Sequence, residues 1–134
     1  MREILFRGKN IDNGHWMYGV PISLKNGETY MNFEFMGWID RALVIPEAVG
    51  QYTGLTDKNG TKIFEGDIVD VNNALLRGRF WVEYEETGGT FIVKDKNDRR
   101  YFLGGCNCTV IGNIFDNPEL IELDVHKVET AESE

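Results

Sequence analysis

Residues 52–71 read Tyr52-Thr53-Gly54-Leu55-Thr56-Asp57-Lys58-Asn59-Gly60-Thr61-Lys62-Ile63-Phe64-Glu65-Gly66-Asp67-Ile68-Val69-Asp70-Val71. Gly54, Gly60 and Gly66 recur every six residues. Each stands at an expected turn or strand start, where glycine adopts positive φ without a Cβ clash. Asp57-Lys58-Asn59-Gly60 predicts a tight turn, since Asp and Asn side chains hydrogen-bond their own backbone nearby. Lys62 to Val71 then starts another strand, in which Ile68 faces opposite to Val69 and Val71. Gly66-Asp67 ahead of an apolar strand is common in small β-barrels: the glycine supplies the unusual φ and the carboxylate accepts a nearby N–H.

The same pattern extends in both directions. Asn-Gly pairs stand at 13–14, 26–27 and 59–60, and Gly-Gly pairs at 88–89 and 104–105. Asn-Gly suits two-residue hairpin turns, whose central residues both need positive φ. Short aromatic and β-branched runs lie between the turns. A first hairpin is predicted from Glu3–Lys9 and His15–Pro21. Thr29–Trp38 reads as one strand whose alternation breaks at Phe33–Met36, predicting a bulge or burial on both faces. Phe80–Tyr84, Thr90–Lys94, Arg99–Leu103 and Thr109–Phe115 complete a meander. Two short helical turns are expected, at Ile45–Val49 with Pro46 in first position and at 117–120 with Asn117 as cap and Pro118 following it.

The chain has 134 residues, 15 of them glycine, and a formal net charge of −8. A single β domain over residues 1–122 is expected, followed by a flexible acidic tail over 123–134. Sixteen aromatic residues argue against overall disorder. No apolar run approaches the ~20 residues that span a bilayer, and the first residues lack an apolar secretory stretch. The cytoplasm is therefore the expected location, with no membrane partner. Residues 116–134 carry −6 and residues 1–115 only −2. The net charge thus describes the tail more than the body.

No catalytic constellation emerges. Cys106 and Cys108 make Cys-x-Cys, but His15 and His126 are too far off to complete a four-ligand zinc site. The cysteines read as ordinary strand residues, with no metal and no cofactor expected. Asp57, Glu65 and Asp67 form a carboxylate group for a divalent-ion enzyme reading, but 22 acids make such groupings common by chance. A non-enzymatic protein is the expectation. Arg77, Arg79, Lys94, Lys96, Arg99 and Arg100 form a basic cluster interleaved with Trp81, Phe91 and Tyr101. That composition suits a platform for single-stranded nucleic acid. Glu83, Glu85, Glu86, Asp95 and Asp98 in the same stretch suit an ordinary mixed-charge sheet face, so nucleic acid is not the favoured partner.

Gly50-Gln51-Tyr52-Thr53-Gly54-Leu55-Thr56-Asp57-Lys58-Asn59-Gly60-Thr61-Lys62-Ile63-Phe64-Glu65-Gly66-Asp67-Ile68-Val69 resembles the central signature of the YopX family of phage and prophage proteins. Arg7-Gly8-Lys9 with Gly14–Gly19 is similar to that family's N-terminal block, and Val110–Leu120 to its C-terminal block. The resemblance covers about residues 3–122. It implies a mainly β, YopX-like fold: an SH3-like barrel with additional hairpins, working in the host bacterial cytoplasm. It implies no established activity and no catalytic residues. Turn geometry accounts for Gly54, Asp57, Asn59, Gly60, Gly66 and Asp67. Gln51, Tyr52 and Thr53 are less easily explained and invite either a buried hydrogen-bonding role or an interaction role. The expected function is that of a phage accessory, protein-binding module. It is expected to be a homo-oligomer, because edge strands and 16 aromatics are hard to hide in a small β chain, and to meet a host or phage protein partner.

Overall fold

The computed structural model describes residues 3–104 and 107–122. The chain is mainly β. Its strands are β1 Phe6–Lys9, β2 Trp16–Ser23, β3 Thr29–Phe35, β4 Trp38–Val44, β5 Gly50–Thr56, β6 Lys62–Phe64, β7 Asp67–Asn72, β8 Arg77–Glu85, β9 Thr90–Lys94, β10 Arg100–Phe102 and β11 Cys108–Asn113. A 3₁₀ turn covers Pro46–Ala48, and a single α-helical turn, α1, covers Glu119–Glu122. Packing divides the chain into two compact units, Met1–Gly54 and Leu55–Glu134. The expected tail, Cys106 and His126 lie outside the described residues.

The strands form two antiparallel sheets, ordered β4-β3-β2-β1-β5-β6 and β10-β9-β8-β7-β11. Among the described residues neither sheet closes, so the closed form of the expected barrel is corrected to two open sheets. In the second sheet β10, only three residues long, and β11 stand at opposite edges.

Turn chemistry explains the connections. The Asn10 side chain accepts the N–H groups of Asp12 and Asn13, and Asn13 accepts that of His15, while Gly14 takes φ +73°. Asn26 likewise accepts the Glu28 N–H beside Gly27, at φ +93°. The predicted strand Thr29–Trp38 is instead a hairpin that turns at Met36-Gly37. The break in alternation marked a reversal of the chain rather than a bulge. Similarly, the run from Lys62 to Val71 is cut at Gly66, whose φ is +89°. Gly66 donates its N–H to Val82 O and accepts that of Ile114.

In the first unit Met31, Val44 and Ala48 are buried. Met31 and Val44 lie beside Gly8, where a Cβ would come within 3.0 Å of Met31 and 3.2 Å of Val44. In the second, Ile63, Val69, Val71, Phe80, Val82, Val93, Leu103 and Cys108 form one apolar core.

Candidate functional site

Within the signature around residues 51–67, two carboxylates bind backbone N–H groups. Gln51 is half-buried, and Tyr52 and Thr53 are buried on β5. Asp57 Oδ1 accepts the N–H groups of Asn59 and Thr61 at 2.8 and 2.9 Å, and Oδ2 accepts that of Val110 on β11 at 2.9 Å. One carboxylate therefore shapes a turn and fastens it to a strand 53 residues away. Burial pushes the Asp57 carboxyl up. The N–H groups of Val110, Thr61 and Asn59, with Lys58 nearby, outweigh that and hold it below its ordinary value. Asp67 Oδ2 accepts the Phe64 N–H at 2.7 Å, and Gly60 supplies φ +85°. Among the described residues no three His, Cys, Asp or Glu side chains converge as metal ligands would. Asp57, Glu65 and Asp67 thus stand near one another in sequence without forming such a group.

The basic cluster is divided. Register places Arg77, Arg79 and Trp81 on the β8 face that also carries Lys94 and Arg100. Arg99 points elsewhere: its Nε donates to Asp95 at 2.6 Å, and its guanidinium lies 5.5 Å from the centre of the buried Phe80 ring. The bond to Asp95 raises the Arg99 pKa. Arg79 Nη1 donates to Leu120 O at 3.1 Å, fixing α1 to β8. Lys94 and Arg100 share Asp98, at 3.4 and 3.2 Å, and Arg100 also reaches Glu85 at 3.5 Å. The hydrogen bonds from Arg100 and Lys94 hold the Asp98 carboxyl below its ordinary value. Trp81 donates its indole N–H to Glu83. Most of these groups therefore have acids or backbone carbonyls as partners.

The first sheet shows the opposite pattern at the β3–β4 hairpin. Phe35 and Trp38 pair across its end, and Met36 and Gly37 take φ +51° and +84°. Phe35 is 57% exposed, Met36 84%, Trp38 77% and Ile39 76%. Positive φ is ordinary for glycine or asparagine and unfavourable for methionine by about 1 kcal/mol. The turn thus keeps a large apolar side chain in water at a position that disfavours it. Phe35 and Trp38 share one face of this tip, Ile39 lies on the other and Met36 sits at the turn between them, so the tip is apolar on both faces, and exposed apolar groupings of this kind mark interaction sites.

Charges follow directly behind the tip. Arg41 lies 4.7 Å over the Tyr30 ring. Its N–H donates to Asp40 Oδ1 at 2.8 Å. Register puts Tyr30, Asn32, Glu34, Ile39, Arg41 and Leu43 on one face, with Val20 and Ile22 of β2. Sequence reasoning missed this site because Met-Gly is not an Asn-Gly signal. Gly37 and the broken alternation of Phe33–Met36 were the available clues.

The family model described as "YopX protein" matches residues 5–122. The chain belongs to the YopX family. The match spans both compact units described above. Among solved structures, this YopX-family chain is similar to one titled "Crystal structure of protein EF1440 from Enterococcus faecalis", with 23% identity and a TM-score of 0.56. That likeness covers 90% of this chain and 99% of the other, and it bears on the fold alone. No curated protein matches the chain.

Proposed function

We propose that this YopX-family protein is a non-enzymatic, protein-binding accessory of a phage or prophage, acting in the host bacterial cytoplasm and making contact through the β3–β4 hairpin tip. The observation that carries this reading is Met36, exposed at a positive φ between Phe35 and Trp38. Side chains of this kind, uncharged and aromatic or thioether, are enriched in the centres of protein interfaces. Self-association through the tip is the first arrangement to test, with a host or phage protein as the further partner. The accompanying fold reading is SH3-like for the second unit, supported by the order β10-β9-β8-β7-β11, in which the last strand returns beside the first. Light scattering across a concentration series tests the proposal. Mass rising with concentration in the natural chain and staying at one chain in Trp38→Ser supports it, and equal behaviour of the two removes it.

A second reading, single-stranded nucleic-acid binding by the 77–101 region, draws on one observation: Arg77, Trp81, Lys94 and Arg100 share a sheet face. It predicts oligonucleotide retention that falls steeply with salt and weakens in Arg77→Glu.

A further inference from the structure

β4 is the terminal strand of the first sheet, and its outer edge is taken along only part of its length. Leu43 O accepts the Ile11 N–H at 3.0 Å, and Asn10 bridges to Val44. Along a strand, successive residues alternate the side to which they present N–H and C=O. The regular register with β3 contains no bulge, so Ile39 and Arg41 present their backbone groups to the same outer side as Leu43. The Arg41 N–H is turned aside by its neighbour's carboxylate, Asp40 Oδ1. An edge of this kind either needs a guard or accepts another strand. Here one side chain guards one donor, and among the described residues no strand pairs with the outer edge from Trp38 to Ala42.

We infer that this edge accepts a short extended segment of a partner protein, added antiparallel to β4, with an acidic residue opposite Arg41 and a basic residue opposite Asp40. This inference rests on the reading of the hairpin as a protein-binding element and names the chemistry of its partner. Residues directly opposite in a ladder share a face and interact. An acid opposite Arg41 meets the guanidinium that lies over Tyr30. A lysine opposite Asp40 draws the carboxylate off the Arg41 N–H, which then joins the new ladder. Apolar residues opposite Trp38, Ile39 and Ala42 cover the exposed Trp38 and Ile39. Backbone pairing supplies affinity and the alternate side chains supply selection, as in other strand-addition sites.

A second copy's β4 does not supply this complement. A two-fold centred on Asp40 sets carboxylate against carboxylate, and one centred on Arg41 sets guanidinium against guanidinium. One centred on Ile39 puts Asp40 against Trp38 and Arg41 against Gly37. No symmetric register pairs the charges, so the edge selects a different chain even where the tip joins copies.

The test is an NMR titration of the full ¹⁵N-labelled chain with two peptides, acetyl-Val-Glu-Lys-Ile-Val-amide and the charge-exchanged acetyl-Val-Lys-Glu-Ile-Val-amide. The first is expected to shift the amide signals of Trp38 to Ala42 and to slow hydrogen exchange at Ile39. The second is expected to bind about tenfold more weakly, because two cross-strand charge pairs turn from attractive to repulsive. The double variant Asp40→Lys, Arg41→Glu should reverse the preference. Equal binding of both peptides, binding elsewhere, or no shifts at millimolar peptide overturns the inference. Failure of the peptides alongside loss of association in Trp38→Ser leaves the tip reading standing and removes this one alone.

Discussion

In the second unit, Phe80, Val82 and Val93 face inward, and the polar residues around them are bound. Asp57 holds three backbone N–H groups, Asp95 holds Arg99, and Arg79 holds Leu120. In the first unit, four large apolar residues project from a hairpin tip, and Asp40 caps a single N–H at an open edge. The two units use the same residue types to different ends. A buried carboxylate that accepts several N–H groups is costly to remove, because the donors left behind lose their partner. An exposed apolar residue at a turn contributes little to folding, so its presence calls for another explanation. In the family signature at residues 51–67, Asp57 and Asp67 shape turns by accepting backbone N–H groups, and Gly60 and Gly66 supply positive φ. The element whose conformation stability does not explain lies at residues 35–41.

The comparison can be broken by mutation, and the largest effect belongs to Asp57. Asp57→Ala should cost about 2 kcal/mol of stability, from three backbone N–H groups at part-buried bonds left without their acceptor. Urea unfolding measures it, and a loss under about 1 kcal/mol would remove the structural role. The sign with pH follows from the carboxyl being held below its ordinary 3.8 in the folded chain. Its contribution is fully present above that value and is lost as pH falls through the lower folded value. Asp57→Asn should therefore flatten the acid limb of the stability curve below about pH 4.

Gly19→Ala comes next. A Cβ there would sit 1.9 Å from Asn32 O, a backbone atom in β3, so the strands must separate. A loss of about 2 kcal/mol is expected, read from the same urea curves. Arg79→Ala should cost about 1 kcal/mol by releasing Leu120, with faster amide exchange in α1. The smallest effect has the opposite sign. Met36→Asn relieves the positive φ and should raise stability by about 0.5 kcal/mol, read as a small rise in Tm. A destabilised Met36→Asn would show that the methionine packs for folding and would erase the contrast between the units.

Much of the fold was legible in the sequence, for local reasons. Asn13-Gly14, Asn26-Gly27 and Asp57–Gly60 are turns whose side chains hydrogen-bond their own backbone, and short-range chemistry of that kind can be read directly. The strand Thr90–Lys94 lies where alternation placed it. The Met36-Gly37 reversal was not legible, because methionine in a left-handed conformation runs against propensity. The division of the basic cluster was not legible either. Arg99 bonds its local neighbour Asp95, and its guanidinium lies against Phe80, a tertiary contact. Nor could the sequence show that Asp57 reaches Val110 across 53 residues.

The central claim is that the tip of the β3–β4 hairpin exists for contact and not for folding. Sedimentation equilibrium of the natural chain beside Met36→Asn tests it most directly, with unfolding measured on the same samples. The account predicts that the natural chain associates as concentration rises, while Met36→Asn stays a single chain of equal or higher stability. Identical masses for both at every concentration, or a Met36→Asn chain that is both monomeric and less stable, would contradict it.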